Sequence, residues 1–89
     1  MSSNQNPVKV YSGRLCTYCM AAKRLLDKKG VAYEEVMVDD DPNLRAEMER
    51  LSQRQTIPQI FIGEHHVGGY DDLAELHREG KLDELLKAD

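Results

Sequence analysis

Cys16 and Cys19 are the chain's two cysteines, separated by two residues at the point where an alternating pattern gives way to a helical one. No other feature limits the possible folds as tightly. Val8-Lys9-Val10-Tyr11 alternates apolar and polar residues before Ser12-Gly13 interrupts it, which reads as a strand running into a loop. From Thr17 to Lys29 the spacing is helical, with Ala22, Leu25 and Leu26 on one face and Lys23, Asp27 and Lys28 on the other; Gly30 stands at the usual stop position. Cys16 therefore falls where a helix begins, and the backbone N–H groups and positive dipole end there favour a thiolate. The dipole alone supplies about 0.3–1 kcal/mol, whereas lowering a thiol pKa by ~3 units takes about 4 kcal/mol. Hydrogen bonds from Cys19 and nearby cations such as Arg14 must supply the remainder. Cys16 reads as the nucleophile, and Cys19, one helical turn later, as the thiol that attacks a mixed disulfide formed on Cys16.

A structural staple explains this pair poorly, because closing so short a loop removes little entropy from the unfolded chain. Two buried hydrophobic cysteines are the bland alternative. A zinc site is another, but it normally needs four N or S ligands, and His65 and His66 are adjacent, which turns them to opposite faces of a strand. A close pair in a reducing compartment is redox-catalytic or metal-binding more often than architectural.

The remaining chain predicts further alternation of strands and helices. Tyr33 to Val38 reads as a second strand, and Asp39-Asp40-Asp41 before Pro42 supplies a cap, a first-turn proline and a solvated turn, without the oxygen spacing of a calcium loop. Leu44, Met48 and Leu51 form an apolar stripe on the next helix, with Met48 and Met37 expected in the core and Met20 near the rim of the site. Ile57 to Ile62 and His65 to Val67, joined by Gly63-Glu64, predict a hairpin with a buried first arm, and His65, His66 and His77 are expected on the surface or in that hairpin. Gly68-Gly69 breaks the second arm, Asp71 and Asp72 open a helix carrying Leu73 and Leu76, and Gly80 sets apart a last helical segment with Leu82, Leu85 and Leu86. The order β-α-β-α-β-β-α predicts an α/β fold, a four-stranded mixed sheet flanked by helices, its first two strands parallel and its last two antiparallel.

Eighty-nine residues suit one domain, 1–89, since either half alone would fall below the size at which burial offsets chain entropy. Residues 1–7 are expected to be a flexible N-terminus; they lack the basic start and apolar middle of a signal peptide, and the expected location is cytoplasmic. No apolar run approaches a membrane span, and a formal charge of −4 disfavours nucleic acid as a partner and favours a soluble monomer.

Cys16-Thr17-Tyr18-Cys19, Thr56-Ile57-Pro58, Gly68-Gly69 and Tyr70-Asp71-Asp72, in that order, resemble the landmarks of the glutaredoxin family, in particular its small bacterial dithiol members. The resemblance spans Val8 to Lys87. It implies a thioredoxin-like fold and a glutathione-dependent thiol-disulfide oxidoreductase, acting on disulfide-bonded and glutathionylated proteins, with glutathione as reducing co-substrate and no metal required. The implied glutathione contacts are Arg14, Thr17, Tyr18, Arg54, Thr56, Ile57, Pro58, Gly69, Tyr70, Asp71 and Asp72. Tyr18 would flank the cysteinyl group, and a cis Pro58 would turn the Ile57 backbone toward the sulfur to pair with glutathione like an added strand. N–H groups at Tyr70 to Asp72 would bind the γ-glutamyl carboxylate, Asp72 its ammonium, and Arg54, with Gln53, the glycyl carboxylate; one of Asp71 and Asp72 is expected to cap the helix instead. The family usually has lysine where Gly13 stands, with Arg14 the substitute cation, and proline where Thr17 stands. A small residue at that second position keeps an alternative open: a dimer that bridges an iron–sulfur cluster through Cys16 and glutathione.

Overall fold

In the computed structural model, which describes residues 5–87, β1 (Val8–Ser12) is an inner strand of the sheet and the start of the path to the cysteines. It is followed by α1 (Thr17–Lys28), β2 (Glu34–Met37), a 3-10 turn (Val38–Asp40), α2 (Pro42–Ser52), β3 (Gln59–Ile62), β4 (His65–Gly68), α3 (Tyr70–Arg78) and α4 (Leu82–Leu86). The sheet order is β2-β1-β3-β4. β1 and β2 are parallel, and the β1–β3 and β3–β4 pairs are antiparallel, as the chain order predicts. The chain has a thioredoxin-like fold.

Alternation along the inner strands builds a core on each face. Val8 and Val10 of β1 and Ile60 and Ile62 of β3 pack with Ala22 and Leu26 of α1, Leu73 of α3, and Leu82 and Leu86 of α4. On the opposite face Tyr11 and Phe61 meet edge to face at 5.7 Å, with Val38 and Met48 against Tyr11. α1 stops where expected: Gly30 takes φ +69°, its N–H reaches Asp27 and the Val31 N–H reaches Leu26, the paired bonds that close a helix through a left-handed glycine. No helix of the described residues is long and apolar enough to cross a membrane.

Several local expectations are corrected. β3 begins at Gln59, not Ile57, because Pro58 has no N–H to give the ladder. Met37 is only half-buried, its sulfur accepting a hydrogen bond from Ser12 Oγ at 3.4 Å. Leu51 is 47% exposed and lies at the margin of an open groove beside Phe61 and Pro7. Residues 5–7 of the expected flexible terminus are held in place. The Asn6 N–H donates to Leu86 O at 2.7 Å, its Nδ2 donates to Leu85 O and Lys87 O, and Gln5 pairs with Lys87, satisfying carbonyls that the end of α4 would leave without partners. The rest of that expectation, residues 1–4, lies outside the described residues.

Candidate active site

Cys16 occupies the N-cap of α1 with an extended backbone, and its Sγ accepts a hydrogen bond from the Cys19 N–H at 3.1 Å. The two cysteines form a disulfide. Their surroundings differ: Cys16 is half-buried, whereas Cys19 is 1% exposed beneath the first turn. A helix terminus and a backbone donor aimed at Cys16 Sγ favour negative charge there, and solvent access lets an external sulfur reach it before Cys19. α1 has no acidic residue in its first turn to oppose that charge.

The preceding loop is tied to the 3-10 turn. The Arg14 N–H donates to Asp39 Oδ2 at 2.7 Å, and the Arg14 guanidinium pairs with Asp40. The Arg14 charge is directed at Asp40, and Arg14 does not line the groove described next. Thr17, exposed at the first position of α1, is also absent from the groove lining. Two members of the acidic run, Asp39 and Asp40, thus organise the cysteine loop, while Asp41 caps α2 by accepting from the Asn43 N–H.

An open groove beside the cysteines is lined by Tyr18, Arg54, Thr56, Ile57, Pro58, Gly69, Tyr70, Asp71 and Asp72, the other nine residues expected to contact glutathione. The Ile57–Pro58 bond is cis. The Tyr18 and Tyr70 rings stack at 6.2 Å and bring the first turn of α1 to the start of α3. Gly69 is the N-cap of α3, so the N–H groups of Tyr70, Asp71 and Asp72 have no partners within the helix. Asp72 is the capping carboxylate: its Oδ2 accepts from the Gly69 N–H at 3.0 Å and lies 3.3 Å from the Arg54 guanidinium. Asp71 is exposed, and the Asp72 side chain, although it caps the helix, is 47% exposed, so both carboxylates stand in the groove wall. Gly68 makes this arrangement possible, since a Cβ there would lie 2.3 Å from Asp72 Oδ2, at φ +117°.

Two supporting residues, Gln59 and Ser52, escaped the sequence reading. Buried Gln59 donates from Nε2 to Thr56 O at 3.0 Å and to Thr56 Oγ1 at 3.2 Å, fixing the chain just before the cis proline. Its Oε1 accepts from His66 Nε2 at 2.7 Å, and burial, then the Arg54 charge, hold the His66 pKa below the usual imidazole value. Buried Ser52 accepts from the Arg54 N–H and donates to Arg54 O, while Gln53 turns the chain through φ +61°. A polar residue at an inward strand position is the signal that marks Gln59; Ser52 carries none beyond its place at a helix end.

The glutaredoxin family model matches residues 8–67. The chain belongs to the glutaredoxin family. A glutaredoxin of Pseudomonas aeruginosa is 54% identical over 82 residues, covering 92% of this chain and 98% of that one. The solution structure of Brucella melitensis glutaredoxin superposes with a TM-score of 0.86 at 49% identity, covering 99% of this chain and 96% of that chain. A buckwheat glutaredoxin in complex with glutathione superposes with a TM-score of 0.83 at 36% identity, covering 93% and 78% of the two chains. The protein is accordingly a thiol-disulfide oxidoreductase that uses glutathione as co-substrate. The glutaredoxin relatives and the Cys16–Cys19 pair support catalysis, and the cluster-bridging dimer is not favoured.

Proposed function

We propose that Cys16 is the attacking sulfur, Cys19 the resolving sulfur and the groove beside them the glutathione site. The observation that carries this division is the half-buried Cys16 set over a Cys19 that is 1% exposed. The groove suits a tripeptide with two carboxylates and one ammonium. The α3 N-terminus offers N–H donors to one carboxylate, Asp72 with the neighbouring Asp71 faces the ammonium, Arg54 faces the second carboxylate, and the chain at Ile57 and the cis proline flanks the cysteinyl part.

The Cys16 thiolate attacks one sulfur of a protein disulfide. A Cys16–substrate bond forms and the second substrate sulfur leaves as thiolate. Cys19 then attacks Cys16 Sγ and frees the reduced substrate, leaving the disulfide seen in the structure. One glutathione thiolate attacks Cys16 Sγ and expels Cys19. A second attacks the bound glutathione sulfur, yielding oxidised glutathione and the Cys16 thiolate. A glutathionylated protein enters directly at the last mixed disulfide, so Cys19 is not needed on that route. Disulfide-bonded and glutathionylated proteins are the proposed substrates, with the protein acting as a monomer in the cytoplasm.

Oxidation of glutathione, coupled to glutathione reductase, measures both routes. Cys16→Ser should abolish both, whereas Cys19→Ser should retain deglutathionylation and lose dithiol reduction of protein disulfides. Equal loss of both activities in Cys19→Ser would refute the division of roles.

A further inference from the structure

Leu15, immediately before the nucleophile, is placed in a doubly unfavourable way. Its side chain is 104% exposed, and its backbone lies in the left-handed region at φ +53°. A branched apolar residue gains nothing from either condition, and asparagine or glycine would fit that backbone better. Its neighbours enforce the placement. Arg14 is held by Asp39 and Asp40, Cys16 caps α1, and Leu15 is turned outward between these two fixed points.

Leu15 is not isolated. Among the described residues the exposed large hydrophobics are Leu15, Tyr18, Met20 and Leu51, and the first three lie within four residues of Cys16. Tyr18 faces the groove. Met20 follows Cys16 by four positions, so it projects on the same side as the nucleophile one turn along α1. Leu15 is not among the residues that line the groove, so the proposed glutathione site leaves it uncovered. The nearby carboxylates do not oppose an apolar contact, because Asp40 is paired with Arg14 and Asp39 with the Arg14 N–H and Arg45.

We propose that Leu15 selects among protein disulfides by packing against an aliphatic or aromatic side chain next to the cysteine that Cys16 attacks. This rests on the oxidoreductase reading. Forming the Cys16–substrate bond draws the substrate backbone to within about one residue of Cys16, so the residue before Cys16 becomes part of the contact. A small glutathione mixed disulfide fills the groove and has no side chain to reach Leu15; a protein has one on each side of its cysteine.

Leu15→Asn keeps a residue that tolerates the left-handed backbone and removes the apolar surface; Leu15→Met restores apolar surface. Both are compared with the parent on three substrates: a peptide disulfide with leucine beside the attacked cysteine, the same peptide with serine there, and the mixed disulfide of glutathione with 2-mercaptoethanol. Leu15→Asn should lose kcat/KM on the leucine peptide by roughly tenfold, the scale of a truncated interface residue. It should keep the parent's rates on the other two substrates, and Leu15→Met should recover most of the loss. An equal loss on all three substrates would assign Leu15 to holding Cys16, and no loss on any would leave it without a binding role; either result overturns the proposal. Failure of the parent on the 2-mercaptoethanol mixed disulfide would instead overturn the underlying activity.

Discussion

Gly13 is the most informative position to alter, because its structural setting reverses an ordinary expectation. Glycine to alanine outside the left-handed region usually stabilises by about 0.4–1 kcal/mol through the unfolded chain, and Gly13 is not among the glycines of positive φ. A Cβ there, however, would lie 2.8 Å from both Asp39 Oδ2 and Ile57 Cδ1. Ile57 lines the groove, and Asp39 Oδ2 already holds the Arg14 N–H, so neither atom moves without consequence. Overpacking of this kind costs about 1–3 kcal/mol, and a hydrogen bond to a charged group contributes about 1.5–3 kcal/mol. Gly13→Ala should therefore lower the unfolding free energy by about 1–2 kcal/mol, the net of those effects. Urea unfolding of Gly13→Ala, Asp39→Ala and the double variant checks both size and cause: alanine should be cheaper when Asp39 is gone. Gly13→Lys places the family's usual cation on the same Cβ, so its difference from Gly13→Ala isolates the charge. Thiolate absorbance followed against pH should titrate lower in the lysine variant than in the alanine variant, since a nearby cation favours the thiolate. An alanine variant as stable as the parent would refute the steric argument. Identical thiolate titrations in the two variants would show that Asp39 and Asp40 neutralise the added charge.

Gly68→Ala should destabilise by about 2–4 kcal/mol, adding backbone strain to a displaced helix cap, and should also raise the KM for glutathione by moving Asp72; a urea midpoint equal to the parent's would contradict this. His66 titrates below its usual value in the folded protein, so between that depressed pKa and about 6.5 the unfolded chain binds a proton that the native one does not. Stability should fall as pH drops through that window, and His66→Gln should flatten the fall; superimposable curves of unfolding free energy against pH would refute the assignment.

The order of elements was legible because each carries its own local signal: alternation in Val8–Tyr11, helical spacing around Ala22 and Leu26, and Gly30 as a stop. The cysteine pair was legible for the same reason, its meaning being set by two residues and a junction. What escaped depends on partners remote in the chain. Nothing local to Arg14 announces that Asp40 will capture its charge, and nothing in Leu44-x-x-x-Met48-x-x-Leu51 says that Met48 will be buried and Leu51 left outside. Asp71 and Asp72 are indistinguishable as letters; Arg54, brought in from the end of α2, and the Gly69 N–H separate them. The cis bond at Pro58 came from family resemblance alone, since an X–Pro pair reads the same in either isomer.

The sheet order has a consequence for how this protein tolerates its company. β2 and β4 are the edge strands, each only four residues long. β2 opens with exposed Glu34 and Glu35, and the β3–β4 pairing carries a register shift at Ile60/Phe61. Short length, charge and irregular pairing are the means by which sheets discourage a foreign strand from joining them. On the proposed reading, other protein chains are brought to Cys16 and held there by a covalent bond, close enough for any unpaired backbone they carry to meet an open sheet edge. The protein offers them a sulfur without a long β-edge to seed aggregation, so encounters can end when the chemistry ends.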